Sequence, residues 1–114
     1  MGNILNVVFY QITDMNRNGS HQLIFLLSRK ECGKLIGLEG QVIAYIRNQS
    51  RTDINVGNDT SKDRTVEIKG KFSRVVNAME LVAEELEEKT LRALMMEFCF
   101  HKLEKDNVSS LGKI

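Results

Sequence analysis

The sequence contains no proline and no tryptophan. Without proline, no helix is broken by a ring clash or a missing amide, so helical patterns can run uninterrupted. An excess of either charge is also lacking. The formal net charge of +1 excludes a global attraction to nucleic acid or to an acidic surface, so any such attraction must be local. Only two cysteines are present, Cys32 and Cys99, with neither the pattern of a disulfide framework nor metal-ligand spacing. They read as small buried hydrophobes in a reducing compartment, and neither a metal nor a cofactor is expected. No stretch resembles a signal peptide or an apolar run long enough to span a bilayer. The opening Met1-Gly2 lacks the Ser or Thr that myristoylation needs, with Asn6 in its place. Asn-x-Ser/Thr triplets starting at Asn18, Asn48, Asn58 and Asn107 have meaning only in a secreted chain. The expected location is the cytoplasm, the nucleus or both, with no membrane partner.

What is present describes one α+β domain. The chain has 114 residues, 42% apolar and 27% charged, enough for a single modest core. Basic residues outnumber acidic ones between Ser28 and Arg74, whereas Glu80, Glu84, Glu85, Glu87 and Glu88 make the next segment acidic. Residues Ile4 to Ile12, with Val7, Val8, Phe9 and Tyr10, read as a strand. Turn chemistry follows through Asn18-Gly19. His21 to Leu27 is nearly continuously apolar, as a strand covered on at least one face should be, and the two strands can pair as a hairpin. Ser28 and Glu31 form a capping box that opens a helix from Arg29 to about Ile36. Val42, Ile43, Tyr45 and Ile46 give a second helical stripe. Asp53 to Val56 and Arg64 to Lys69 read as two more strands. Phe72, Val75, Met79, Val82 and Leu86 recur at helical steps with the glutamates outward. Beyond Lys89 the apolar residues Leu91, Leu94, Met95, Met96, Phe98, Phe100 and Leu103 surround the helix axis, which calls for burial on more than one face. The expected divisions are an N-terminal strand and turn at 1–20, a central domain at 21–88, a helical extension at 89–105 and a polar, frayed tail at 106–114.

The centre of the pattern is Gly37-Leu38-Glu39-Gly40, which interrupts two helices. Glycines three apart permit a sharp turn and leave backbone amides uncovered. The following helix begins at about Gln41, so its free amides and positive dipole end point out of the same turn. Such a turn suits a phosphate. No catalytic residue is assigned: Gly33, Gly37 and Gly40 fit neither a Walker loop nor a dinucleotide fingerprint. His21 and His101 have no nucleophile or paired carboxylate at a recognisable spacing.

From His21 to Glu88 the element order is β-α-α-β-β-α. Cys32-Gly33-Lys34-Leu35-Ile36-Gly37-Leu38-Glu39-Gly40-Gln41-Val42-Ile43 fits a small-Gly-x-Ile/Leu-Ile-Gly-x-x-Gly-x-x-Ile signature, with Ile46, Ser50, Ile54 and Val56 following in step. The sequence thus resembles the eukaryotic-type (type I) KH domain, and is similar to the modules of poly(C)-binding and Nova-like proteins. The resemblance implies a groove for about four nucleotides of single-stranded RNA, or single-stranded DNA, and a role in post-transcriptional regulation. It implies that Gly37, Leu38, Glu39, Gly40 and Gln41 hold the backbone, with Lys34, Arg47 and Arg51 adding charge. It further implies that Ile36, Ile43 and Ile46 offer aliphatic surface to bases, and that Asp53, Ile54 and Asn55 bring a strand edge that reads them.

Three departures from the family pattern carry physical consequences. Glu39 stands where a basic residue is usual; a carboxylate about 6 Å from a phosphate repels it by on the order of 1–3 kcal/mol before screening. Asp53 replaces a base-reading cation. Arg51 replaces a common glycine, at a cost of on the order of 1 kcal/mol if the backbone there is left-handed. The alternative reading is a KH-fold module for protein–protein contact whose nucleic-acid groove is weak. In it, Val8, Phe9, Tyr10, Leu94, Met95, Phe98 and Phe100 form a homodimer surface from the two added ends, because a monomer rarely leaves so large an apolar patch exposed.

Overall fold

The computed structural model describes residues 10–15, 19–57, 63–86 and 89–112. Strand β1 spans Tyr10–Met15, β2 Ser20–Ser28, β3 Asp53–Val56 and β4 Asp63–Lys71. Helices α1 (Arg29–Ile36), α2 (Gln41–Ser50), α3 (Phe72–Leu86) and α4 (Lys89–Gly112) complete the fold. The four strands form one sheet in the order β1-β2-β4-β3, every neighbour antiparallel. Among the described residues, no helix is long and apolar enough to cross a membrane.

The added N-terminal strand pairs with β2 as the hairpin reading expected, Tyr10 opposite Phe25 and Met15 opposite Ser20. It extends to Met15, three residues past Ile12, and Val8 and Phe9 lie outside the described residues. In β2 the apolar run resolves into alternation: His21, Leu23, Phe25 and Leu27 are buried, and the residues between them only partly so. One face is therefore packed and the other half-covered, the usual state of an antiparallel sheet. The capping box holds as read: the Glu31 amide donates to the Ser28 hydroxyl at 3.1 Å, and the Ser28 amide donates to the Glu31 carboxylate at 3.3 Å. That reciprocal pair satisfies two of the four orphan amides at the start of α1.

The core lies between the sheet and the helices. Leu23, Phe25, Ile54, Val66 and Ile68 come from strands, Cys32 and Leu35 from α1, Ile43 and Ile46 from α2, and Val75, Met79 and Val82 from α3. Each such side chain contributes about 1.5–3 kcal/mol by leaving water. Neither Cys32 nor Cys99 is in a disulfide, and burial pushes the Cys99 thiol above its ordinary range.

Helix α4 corrects the expectation for the C-terminal residues. Leu91, Leu94 and Phe98 are fully buried in the protein's own core, so Leu94 and Phe98 are not surface available to a second subunit. Phe98 stacks on Phe72 with ring centroids 5.1 Å apart, and buried His21 meets both rings edge-on at 5.8 Å. The residues that read as apolar all round split into this buried stripe and an exposed one, Met96, Phe100 and Leu103, each a little over half exposed. Met95 sits between them, partly buried. The helix is also longer than expected, running through Gly112 where a frayed tail was read from residue 106.

Candidate functional site

The Gly37–Gly40 turn is a single 3-10 turn wedged between α1 and α2. Gly37 lies at φ 76°, ψ 178° and closes α1, its amide donating to the Gly33 carbonyl at 2.9 Å. A Cβ there would stand 2.4 Å from Val42 Cγ2, so the position has neither the conformation nor the room for a side chain. Gly40 also has a positive φ of 76°, but a Cβ on it would meet nothing within 4 Å.

The turn's amides are divided. Those of Gly37, Gly40 and Gln41 are committed to the carbonyls of Gly33, Gly37 and Leu38. The amides of Leu38 and Glu39 enter none of the turn and cap bonds. The first amide of α2 is thus taken, and the glycine pair offers donors of its own. Leu38 is 78% exposed. Glu39 is exposed too and holds a left-handed backbone, φ 55°, which costs an L-residue about 1–2 kcal/mol. An anion approaching these two amides meets the Glu39 carboxylate on the same residue.

The aliphatic floor differs from the expectation. Ile43 and Ile46 are 5% and 1% exposed; they are core residues and offer almost no surface to a ligand. The Ile54 side chain is also core, at 1% exposed, which leaves the strand edge expected of that residue to its backbone. Ile36 and Val42 are the half-buried apolar residues beside the turn. Val42 was missed as a site residue. Its signal was present, since it follows the second glycine by two and packs where a side chain on the first would lie.

Lys34, Gln41, Arg47, Arg51, Asp53 and Asn55 are all exposed, so the structure brings these sequence-predicted residues to the surface around α2 and β3. Arg51 has φ 56° and caps α2, its amide donating to the Arg47 carbonyl at 2.8 Å. The site expected to need a left-handed backbone does adopt one. Ser50 turns its hydroxyl inward to the Ile46 carbonyl at 2.7 Å and shares a second contact of 2.7 Å with Thr52. This tight corner returns the chain as β3 along α2. Arg47 is not a free cation: its Nε and Nη2 both donate to the Ile54 carbonyl, at 3.0 and 2.6 Å.

On the far side of the molecule, the structure gathers a cluster that the sequence spacing did not show. Asp14 on β1 faces His21 Nε2 at 3.5 Å, His101 Nε2 at 3.4 Å and Lys105 Nζ at 3.0 Å. Burial alone would raise the Asp14 carboxyl, but the Lys105 hydrogen bond and the charges of His101, Lys105 and His21 hold it below the usual carboxylate range. The cluster ties α4 to β1 and β2. No group of three or more metal-ligating side chains placed to hold an ion occurs among the described residues.

A family model described as a KH domain matches residues 22–84, more than half of the chain. The matched span contains α1, the glycine turn, α2, β3, β4 and most of β2 and α3, in the order of the type I fold. By that match and that topology the chain belongs to the type I KH domain family, whose members are nucleic-acid-binding modules and not enzymes.

Proposed function

We propose that this domain holds about four nucleotides of single-stranded RNA against the Gly37–Gly40 turn and serves post-transcriptional regulation in the cytoplasm or nucleus. The observation that carries the reading is the turn itself: two backbone amides, at Leu38 and Glu39, that enter none of its turn and cap bonds, beside half-buried Ile36 and Val42 and within one helix length of a strand edge. The amides suit a phosphate, the aliphatic side chains suit base faces, and the strand edge suits base edges. Glu39 opposes the phosphate, so the expected binding is weak.

The test is a titration of randomised single-stranded RNA at low and physiological salt, with Glu39→Lys alongside. That substitution exchanges a repulsive charge for an attractive one. It should tighten binding and steepen the log–log salt dependence by about one unit. An affinity and slope left untouched would show that the backbone does not bind at this turn; absence of saturable binding at either salt would favour the second reading.

That second reading is a protein-contact module. It is favoured by the exposed stripe of Met96, Phe100 and Leu103 on α4, which together with Tyr10 and Phe100 at the β1–α4 groove suits a homodimer face remote from the glycine turn. Light scattering across a dilution series checks it. Dimer mass should be lost in Phe100→Glu, and a wild type that remains monomeric at high micromolar concentration refutes it.

A further inference from the structure

Strand β3 ends the sheet, so among the described residues one of its edges has no neighbouring strand. Which of its groups face that edge follows from the register. The Gly57 amide donates to the Thr65 carbonyl at 2.7 Å, which makes this opposite pair a hydrogen-bonded one. Bonded and non-bonded pairs alternate along an antiparallel ladder. Asn55 opposite Glu67 is therefore bonded, and Ile54 opposite Ile68 is not. The amide and carbonyl of Ile54 thus both point to the open edge, a donor and an acceptor side by side.

The acceptor is already occupied. Arg47, seven residues earlier on α2, places Nε and Nη2 on the Ile54 carbonyl. Among the described residues no carboxylate pairs with the guanidinium, although Asp53 is the neighbouring residue and is itself exposed. The Arg47 side chain is exposed, so it can leave the carbonyl without disturbing the core.

We propose that Arg47 is a tethered competitor for the β3 edge: it fills the Ile54 carbonyl that the donor of an incoming base would use, and such a base enters only by displacing it. This inference rests on the nucleic-acid reading above. A base with an acceptor beside a donor, such as adenine with N1 and its 6-amino group, matches the bare Ile54 amide and carbonyl. Purine, which keeps N1 and lacks the amino group, matches only the amide. With Arg47 in place the amino group gains little, because its hydrogen bond replaces one already made. With Arg47 removed it gains a whole bond.

The experiment compares two tetranucleotides, one of adenosine and one of purine riboside, on the wild type and on Arg47→Met, which keeps the aliphatic stem and removes every donor. The ratio of the two affinities within each protein cancels the lost charge and the stacking difference. That ratio should widen about three- to tenfold in Arg47→Met, the range of one net hydrogen bond, and Arg47→Ala should give the same widening. A ratio unchanged or narrowed in both variants overturns the competitor role. Amide NMR on the same samples separates this from the reading beneath it. Shifts at Leu38 and Glu39 with no change of ratio leave the glycine-turn site standing and remove only the role of Arg47. No binding and no shift in any protein removes both.

Discussion

The sharpest test of the glycine turn is to place the same methyl group on each of its two glycines. Gly37 and Gly40 share φ 76°, yet their surroundings differ. At Gly37 a Cβ would lie 2.4 Å from Val42 Cγ2, 2.8 Å from Val42 Cβ and 3.0 Å from the Val42 amide nitrogen. At Gly40 it would meet nothing within 4 Å. Gly40→Ala therefore carries only the left-handed backbone cost, about 1–2 kcal/mol. Gly37→Ala carries the cost of a region that only glycine populates freely, about 1–3 kcal/mol, and an overpacking cost of about 1–3 kcal/mol. The expected total is about 2–6 kcal/mol, with about 4 °C of Tm lost per kcal/mol for a chain of this size. Urea denaturation followed by circular dichroism measures both. Val42→Ala in the Gly37→Ala background removes the closest contact and leaves those to Cβ and the amide, so it should recover part of the loss and no more. Gly37→Ala costing no more than Gly40→Ala, or a double variant with purely additive losses, would refute the close approach of Val42 to this turn.

Other expectations are read from the same kind of equilibrium. Arg51→Gly should stabilise the domain by up to about 1 kcal/mol, because Arg51 caps α2 at φ 56° and glycine adopts that conformation freely; a lower denaturation midpoint would contradict it. Phe98→Ala should cost about 3–5 kcal/mol, since the ring is wholly buried and stacked on Phe72, and a loss under 1 kcal/mol would mean that α4 is not docked. Asp14 is lowered on folding, so its contribution is present above the unfolded carboxyl value of about 3.9 and fades as pH falls through the folded one. Asp14→Asn should therefore lower the Tm at pH 7, and its difference from wild type should shrink as pH falls below about 4 and vanish below the folded value; a difference that does not shrink would remove the ionic tie.

The parts of the fold legible in the sequence were those set by local rules. Ser28 and Glu31 announce α1, Gly37 stops it, and the spacing of Phe72, Val75, Met79, Val82 and Leu86 gives α3; each of these signals acts within one or two turns. The apolar residues of α4 were legible as a helix but not as an orientation. Seven apolar positions spread round an axis do not say which three face the core, because Phe72 and His21, which select Phe98, lie far off in sequence. The same distance hid the Asp14 cluster, whose members come from β1, β2 and α4. In the candidate site, the turn and its exposed charges were read from the motif. Whether Ile43 and Ile46 belong to the core or to the groove was not, since a helical stripe marks an apolar face without saying whether the core takes all of it. Nor was the engagement of Arg47, which depends on how the Ser50–Thr52 corner folds β3 back along α2.

The two local rules that this chain breaks frame the same helix. Among the described residues, Glu39 and Arg51 are the non-glycine ones with positive φ, one just before α2 and one just after it, and they carry opposite charges. Departures from local preference tend to fall where function constrains a chain, but here the two act against each other. The negative one sits beside the amides of the glycine pair, where a phosphate would come. Arg47 keeps its charge while engaged on the neutral Ile54 carbonyl, so Lys34, Arg47 and Arg51 stand against Glu39 and Asp53. Charge around the groove thus nearly cancels, as it does over the whole chain. A strand held here would release few counterions, so its affinity must come from the turn's amides, the Ile36 and Val42 surfaces and the β3 edge, and its salt dependence should be shallow. Selectivity then rests on the strand edge rather than on attraction to the backbone, and Arg47 is the side chain positioned to set it.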